Sequence, residues 1–168
     1  MSKREQVLAI TVGISLISND KDEDFKRDIL NKPIENLIKR FEISPAMCAE
    51  AETLSIYLQR NAKLNTRYSV YLLYVDDPEN PDKSKNARAV AEKLKELFAY
   101  FGKTRDEFKR VKVEGVRGFR LSVFSRGEEP ASNDFFSVLL ALREQARKGS
   151  RGFGIIAPGG YKLSLIHI

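Results

Sequence analysis

The chain contains no tryptophan, one cysteine and one histidine. A lone cysteine, Cys48, excludes an internal disulfide and fits a reducing, cytoplasmic setting. Its expected role is that of a small buried apolar residue, because no native histidine stands ready to activate it. The same scarcity removes a Ser-His-Asp triad, and without His/Cys clusters no zinc-ligand spacing exists. No apolar run approaches the ~20 residues that span a bilayer, so no membrane partner is expected. The opening MSKREQ leads into a strand pattern and shows no signal-peptide cleavage site. Internal repeats and low-complexity segments are also missing.

What is present is a soluble-type composition, 42% hydrophobic and 31% charged, over 168 residues, which suits one domain with a real core. The net charge is +6. It is uneven: residues 101–151 hold 12 Lys/Arg against 7 Asp/Glu, a surplus of +5. Such a surplus suits either a polyanion such as nucleic acid, nucleotide or phosphate, or a solvated basic face. Phe119 and Phe124 lie among Arg117, Arg120 and Arg126, which suits base stacking as well as burial in a core.

Patterning predicts strands alternating with helices. Val7 to Val12 is a β-branched apolar run of the buried-strand kind, broken by Gly13. Pro33 to Arg40 and Pro45 to Asn61 read as helices opened by proline, the second after the N-cap candidate Ser44 and with Met47, Ala51, Leu54 and Leu58 inward. Tyr68 to Val75 is a second strand, followed by a Pro- and Asp-rich loop from Asp76 to Lys83. Ala87 to Phe101 is an amphipathic helix closed by Gly102. Val111 to Val116 is a third strand, and residues 119–125 form another strand or an irregular crossing. Asp134 to Lys148 is a helix with Phe136, Leu139, Leu140 and Leu142 as inward candidates. Phe153 to Ala157 is the last strand. The predicted fold is α/β: a Rossmann-like, mostly parallel sheet with helices on both faces.

Several motif matches fail on context. Gly152, Gly154 and Ala157 fit G-x-G-x-x-A spacing but sit in a strand rather than at the turn into a helix. Gly154 to Lys162 brushes the P-loop pattern, with the lysine too late and no Ser or Thr directly after it. Asp82, Glu107 and Lys109 spell the P-D…E-x-K of metal nucleases, which place E-x-K on a strand; here it reads as a helix end or loop. No metal ligand set and no cofactor are expected.

The ends of the first and last strands carry the chemistry. Gly13, Ser15, Ser18 and Asn19 follow the first strand. Pro158, Gly159, Gly160, Tyr161 and Lys162 follow the last. In an open parallel sheet, ligands bind beyond the carboxyl ends of strands. If the two strands are neighbours, Ser15 and Lys162 face one pocket, where a double-glycine turn can approach a phosphate closely. Read without a family, Ser15 is better taken as a cap of the following helix and Lys162 as an exposed cation. The final LSLIHI, Leu163 to Ile168, can be encoded by CTG TCT CTT ATA CAC ATC, which resembles the transposon end ligated to DNA during sequencing-library preparation. Residues 163–168, including His167, are therefore expected to be a non-native tail on a chain truncated after Lys162.

Taken together, TVGISLISN (Thr11 to Asn19), the Ala49, Glu50, Thr53, Leu54 pattern, VYLLYVDDPE (Val70 to Glu79) and APGGYK (Ala157 to Lys162) resemble, in order and spacing, the CARF domains, the Rossmann-like sensors of type III CRISPR systems. The resemblance covers residues 1–162. It implies binding of cyclic oligoadenylate, commonly the tetra-adenylate ring, across a homodimer cleft, and in ring nucleases metal-free cutting of that ring. Ser15 and Lys162 match the catalytic positions. Gly13, Ile14, Ser15, Asn19, Asp76, Pro158, Gly159, Gly160, Tyr161 and Lys162 match ligand-binding positions. Ile14 and Pro158 stand where the family usually has Thr, and the family's helix and strands after the lysine do not follow here. The alternative implied is the sensor domain of a larger effector, such as a HEPN ribonuclease or a transcription regulator; no R-x4–6-H site precedes His167, and no direct duplex-DNA binding is expected of this domain.

Overall fold

The structure is a computed structural model, and it describes residues 4–13, 16, 23–40, 42–61, 65–120 and 134–158. The strands are β1 (Arg4–Thr11), β2 (Thr66–Val75), β3 (Val111–Phe119) and β4 (Gly152–Ile156), and the helices are α1 (Glu23–Asn31), α2 (Ile34–Arg40), α3 (Ala49–Arg60), α4 (Pro81–Thr104) and α5 (Phe135–Lys148). The strands form one sheet in the order β3-β2-β1-β4. Every pairing is parallel. The predicted α/β sheet is therefore the observed one.

The chain winds in two directions. From β1 it steps to β2 and on to β3, then returns past both to lie on the far side of β1. Right-handed crossovers then require the outward and return helices to lie on opposite faces. Leu8, Ile10, Val12, Val70 and Leu72 pack with Ile29, Leu37, Leu54, Leu94 and Phe98 from α1 to α4. On the other face Val7, Ala9, Tyr71 and Leu73 meet Val138, Leu139, Leu142 and Ala146 of α5. A β1 buried on both faces explains why its sequence is a continuous apolar run rather than an alternating one.

Several local readings are corrected. The proline-opened helix from Pro45 is two pieces: a 3₁₀ turn over Pro45–Met47, then α3, separated by extended Cys48. The Asp76 to Lys83 loop is shorter than expected, because Pro81 occupies the first turn of α4, where its missing N–H costs nothing. Ser84 closes that loop: its hydroxyl accepts from Asp77 N–H at 2.6 Å and donates to the Asp77 carbonyl at 3.0 Å. Gly102 lies inside α4, not at its end. A helical glycine costs only about 1 kcal/mol against alanine, and Phe98 and Phe101 carry the helix past it by packing on Phe108 at 5.8 and 5.2 Å between ring centres.

In α5, Leu140 is not inward but 52% exposed, and Val138 and Ala146 join Leu139 and Leu142 in the core. Asp134, read as the first residue of this helix, is its N-cap, its carboxylate accepting from Ser137 N–H at 2.6 Å. The third strand runs to Phe119 and carries a bulge: Val70 pairs with Val113 and Tyr71 with Gly115, leaving Glu114 extra. The bulge shifts the face of every later residue by one. Val111, Val113 and Val116 therefore share one face, and Phe119 turns to the other, 1% exposed and 4.7 Å from the Phe135 ring. This overturns base stacking for Phe119, which is core; Phe124 and Arg126 lie outside the described residues.

Gly118 of β3 lies where a Cβ would sit 3.0 Å from both Asp76 Cβ and Tyr74 Cζ, whereas a Cβ at Gly152 of β4 would meet nothing nearer than 3.6 Å. Gly118→Ala should therefore destabilise by about 1–3 kcal/mol through overpacking, and Gly152→Ala should be neutral or stabilising by restricting the unfolded chain. Urea melts of both variants check this, and equal effects would contradict it.

Candidate functional site at the exits of the first and last strands

The two strands expected to flank a pocket are neighbours. β1 pairs with β4 in parallel register, with Ala9 beside Ile155 and Ile10 beside Ile156. This boundary is also where the winding reverses, the position at which open parallel sheets receive ligands. Gly13 lies two residues past the end of β1, Pro158 two past the end of β4, and Asp76 directly past β2. Gly13 is half-buried, Pro158 is buried and Asp76 is exposed. Ile14, Ser15, Asn19, Gly159, Gly160, Tyr161 and Lys162 lie outside the described residues.

The described rim is held in place from three sides. Val12 N–H donates to the Leu73 carbonyl at 2.8 Å, continuing the β1–β2 ladder past the strand. Asp76 N–H donates to the Phe119 carbonyl at 2.7 Å, fixing the β2 exit to β3. Gly13 N–H donates to Glu50 Oε1 at 3.0 Å, across 37 residues of chain. Glu50 lies in the first turn of α3 and is 4% exposed.

Glu50 is a site feature that residue types alone did not point to. An acidic residue in a first helical turn normally signifies a favourable interaction with the helix dipole at a solvated end. The usable signal was its position: Glu50 lies in line with Leu54 and Leu58, four residues apart on the inward face of α3. Cys48 sits beside it as the N-cap of α3, its sulfur accepting from Ala51 N–H at 3.3 Å. Burial pushes the Cys48 thiol up to about 12 against the pull of that N–H, and the Glu50 charge adds to the rise. This is the inert buried cysteine the sequence suggested.

A second polar group marks the same place. Thr11 ends β1 and is 1% exposed, and its Oγ1 has no hydrogen-bond partner among the described residues. It lies on the side of β1 that carries Val7 and Ala9.

The P-D…E-x-K string resolves into structural roles. Asp82 is in the first turn of α4 and Glu107 lies in a 3₁₀ turn after its far end. The helix between them rises about 33 Å, so the two carboxylates cannot share a metal. Lys109 pairs with Asp106 at 2.7 Å. Glu107 accepts from Arg105 Nε at 2.7 Å and from the Ser55 hydroxyl at 3.0 Å, tying the turn to α3. Gly152 and Gly154 lie within β4, with Ala157 directly after it, so they form no phosphate turn.

No family model matches the chain, and no curated protein and no solved structure matches it. No helix among the described residues is long and apolar enough to cross a membrane.

Thr11→Val replaces a buried hydroxyl that has no partner among the described residues by a methyl group of nearly the same shape, so stability should stay unchanged or rise. A loss exceeding about 1 kcal/mol in a denaturant melt would contradict this. Glu107 gives a pH-dependent test. Burial alone would raise its carboxyl, but hydrogen bonds from Arg105, its own N–H and Ser55 outweigh that and hold it below its ordinary value. With the folded value below the unfolded one, the contribution is full above the unfolded value and is lost as pH falls through the folded one. Glu107→Gln should lower the melting temperature at neutral pH, and the gap from wild type should close on acidification. A gap constant with pH would contradict it.

Proposed function

We propose that the protein binds a cyclic oligoadenylate, the tetra-adenylate ring first among them, at the crevice between the β1 and β4 exits, and cuts the ring without metal. The observation that carries this reading is the direct pairing of β1 with β4 at the reversal of winding. That is where an open parallel sheet receives a nucleotide, and the two segments with the strongest resemblance to CARF domains, TVGISLISN and APGGYK, leave the sheet there. The surplus of cations in residues 101–151 supports an anionic ligand.

In this reading Lys162 supplies charge to a phosphate oxygen and Ser15 donates a hydrogen bond to it. Cutting proceeds when an adenosine 2′-oxygen, held in line, attacks its own 3′-phosphodiester. The bond from that oxygen to phosphorus forms as the bond to the neighbouring 5′-oxygen breaks, and the 2′-hydroxyl proton ends on the departing 5′-oxygen. Positioning and charge stabilisation supply the rate. An even-numbered ring has two-fold symmetry, which an isologous cleft between two copies would match.

Single-turnover cleavage of labelled cyclic tetra-adenylate in EDTA, beside calorimetric titration at several salt concentrations, tests the reading. Affinity should fall as salt rises, because binding displaces counterions from phosphates. Lys162→Ala should slow cutting by ~10²–10³-fold while weakening binding far less, since the lysine meets charge that grows in the transition state. Absence of binding to any cyclic oligoadenylate overturns the proposal. Tight binding without cutting turns it into the alternative, a sensor domain of a larger effector.

A further inference from the structure

Gly13 lies two residues past the end of β1, and its N–H points to the protein: it donates to Glu50 Oε1 at 3.0 Å. The acceptor is a carboxylate withheld from water, 4% exposed, and among the described residues it meets the Gly13 amide and the Cys48 side chain, both neutral. Burying a carboxylate is costly, and a neutral acceptor would satisfy that amide at lower cost. What the carboxylate adds is a charged acceptor for that amide. Its base is rigid: Glu50 is fixed in the first turn of α3, whose next residues Ala51 and Leu54 are buried in the core, and Cys48 caps the same turn. On the other side Val12 is pinned to β2. From these contacts we infer that Glu50 is a positioning residue for the β1 exit, a latch that fixes the backbone at Gly13.

The inference rests on the reading above only for the identity of the ligand. It has a chemical corollary. With its N–H committed to Glu50, Gly13 gives no donor to a phosphate, and its contribution is the path of the backbone. The Glu50 charge lies at the Gly13 amide, so an anionic ligand approaches from the side opposite to it.

The test compares Glu50→Gln, whose Oε1 still accepts, with Glu50→Met, which keeps the length and removes the acceptor. Two readouts are used: amide hydrogen exchange at Gly13 in the free protein, and the affinity for cyclic tetra-adenylate. Gly13 should be protected in the wild type and in Glu50→Gln, and should exchange ~10-fold faster or more in Glu50→Met, while the Leu8 and Ile10 amides are unchanged. Ring affinity should fall by a similar factor in Glu50→Met and be rescued in Glu50→Gln. Equal Gly13 exchange in all three proteins, or full affinity in Glu50→Met, overturns the inference. If Glu50→Met fails to fold, the wild type and Glu50→Gln decide it: an unprotected Gly13 amide in either one refutes the latch. A wild type that binds no ring refutes the functional reading instead, and Gly13 exchange then judges the latch alone.

Discussion

β1 has neighbours on every side: β2 and β4 along its two edges, α1 to α4 above one face and α5 above the other. A parallel strand in that position must satisfy both rows of backbone groups within the sheet and can tolerate few exposed side chains. The apolar run VLAITV meets this demand, and Val7, Leu8, Ala9 and Ile10 are all buried. The consequence reaches the site. Because β1 cannot shift without breaking two ladders, its exit is fixed relative to β2 and β4. The winding also reverses there, the position at which open parallel sheets receive ligands.

Much of the fold could be read from local rules because those rules act through nearest neighbours. The apolar runs of β1 and β2, the helix after Asp134 and the alternation of strands with helices needed no distant information. The misreadings came where a distant contact decided. Gly102 continues a helix because Phe108 lies across Phe98 and Phe101. Leu140 faces outward because the sheet takes the side of α5 that holds Val138 and Ala146. The bulge at Glu114 changes which residues of β3 meet the core, and no spacing within VKVEGVRGF announces it. Cys48 belongs to neither piece of the Pro45 to Arg60 stretch because its extended backbone ends one and caps the other.

The candidate site was legible in outline for a physical reason: glycines, prolines and polar residues after an apolar strand mark a loop, and the topology of parallel sheets decides which loops matter. The adjacency of β1 and β4 was posed as a condition in the sequence and is met in the fold. The Gly13–Glu50 bond was not legible, because it spans 37 residues and its acceptor resembles an ordinary first-turn acid. The buried Thr11 hydroxyl was equally hidden, since threonine is a common strand residue.

The central claim is that a cyclic oligoadenylate sits at the exits of β1 and β4. Mapping amide chemical shifts of the labelled protein during titration with cyclic tetra-adenylate tests it most directly. The account predicts saturable shifts concentrated at Val12, Gly13, Asp76 and Ala157, with the opposite end of the sheet, around Gln6 and Gly152, unmoved. Shifts confined to the exposed cations of α5, such as Arg143, Arg147 and Lys148, with the strand exits silent, would contradict it.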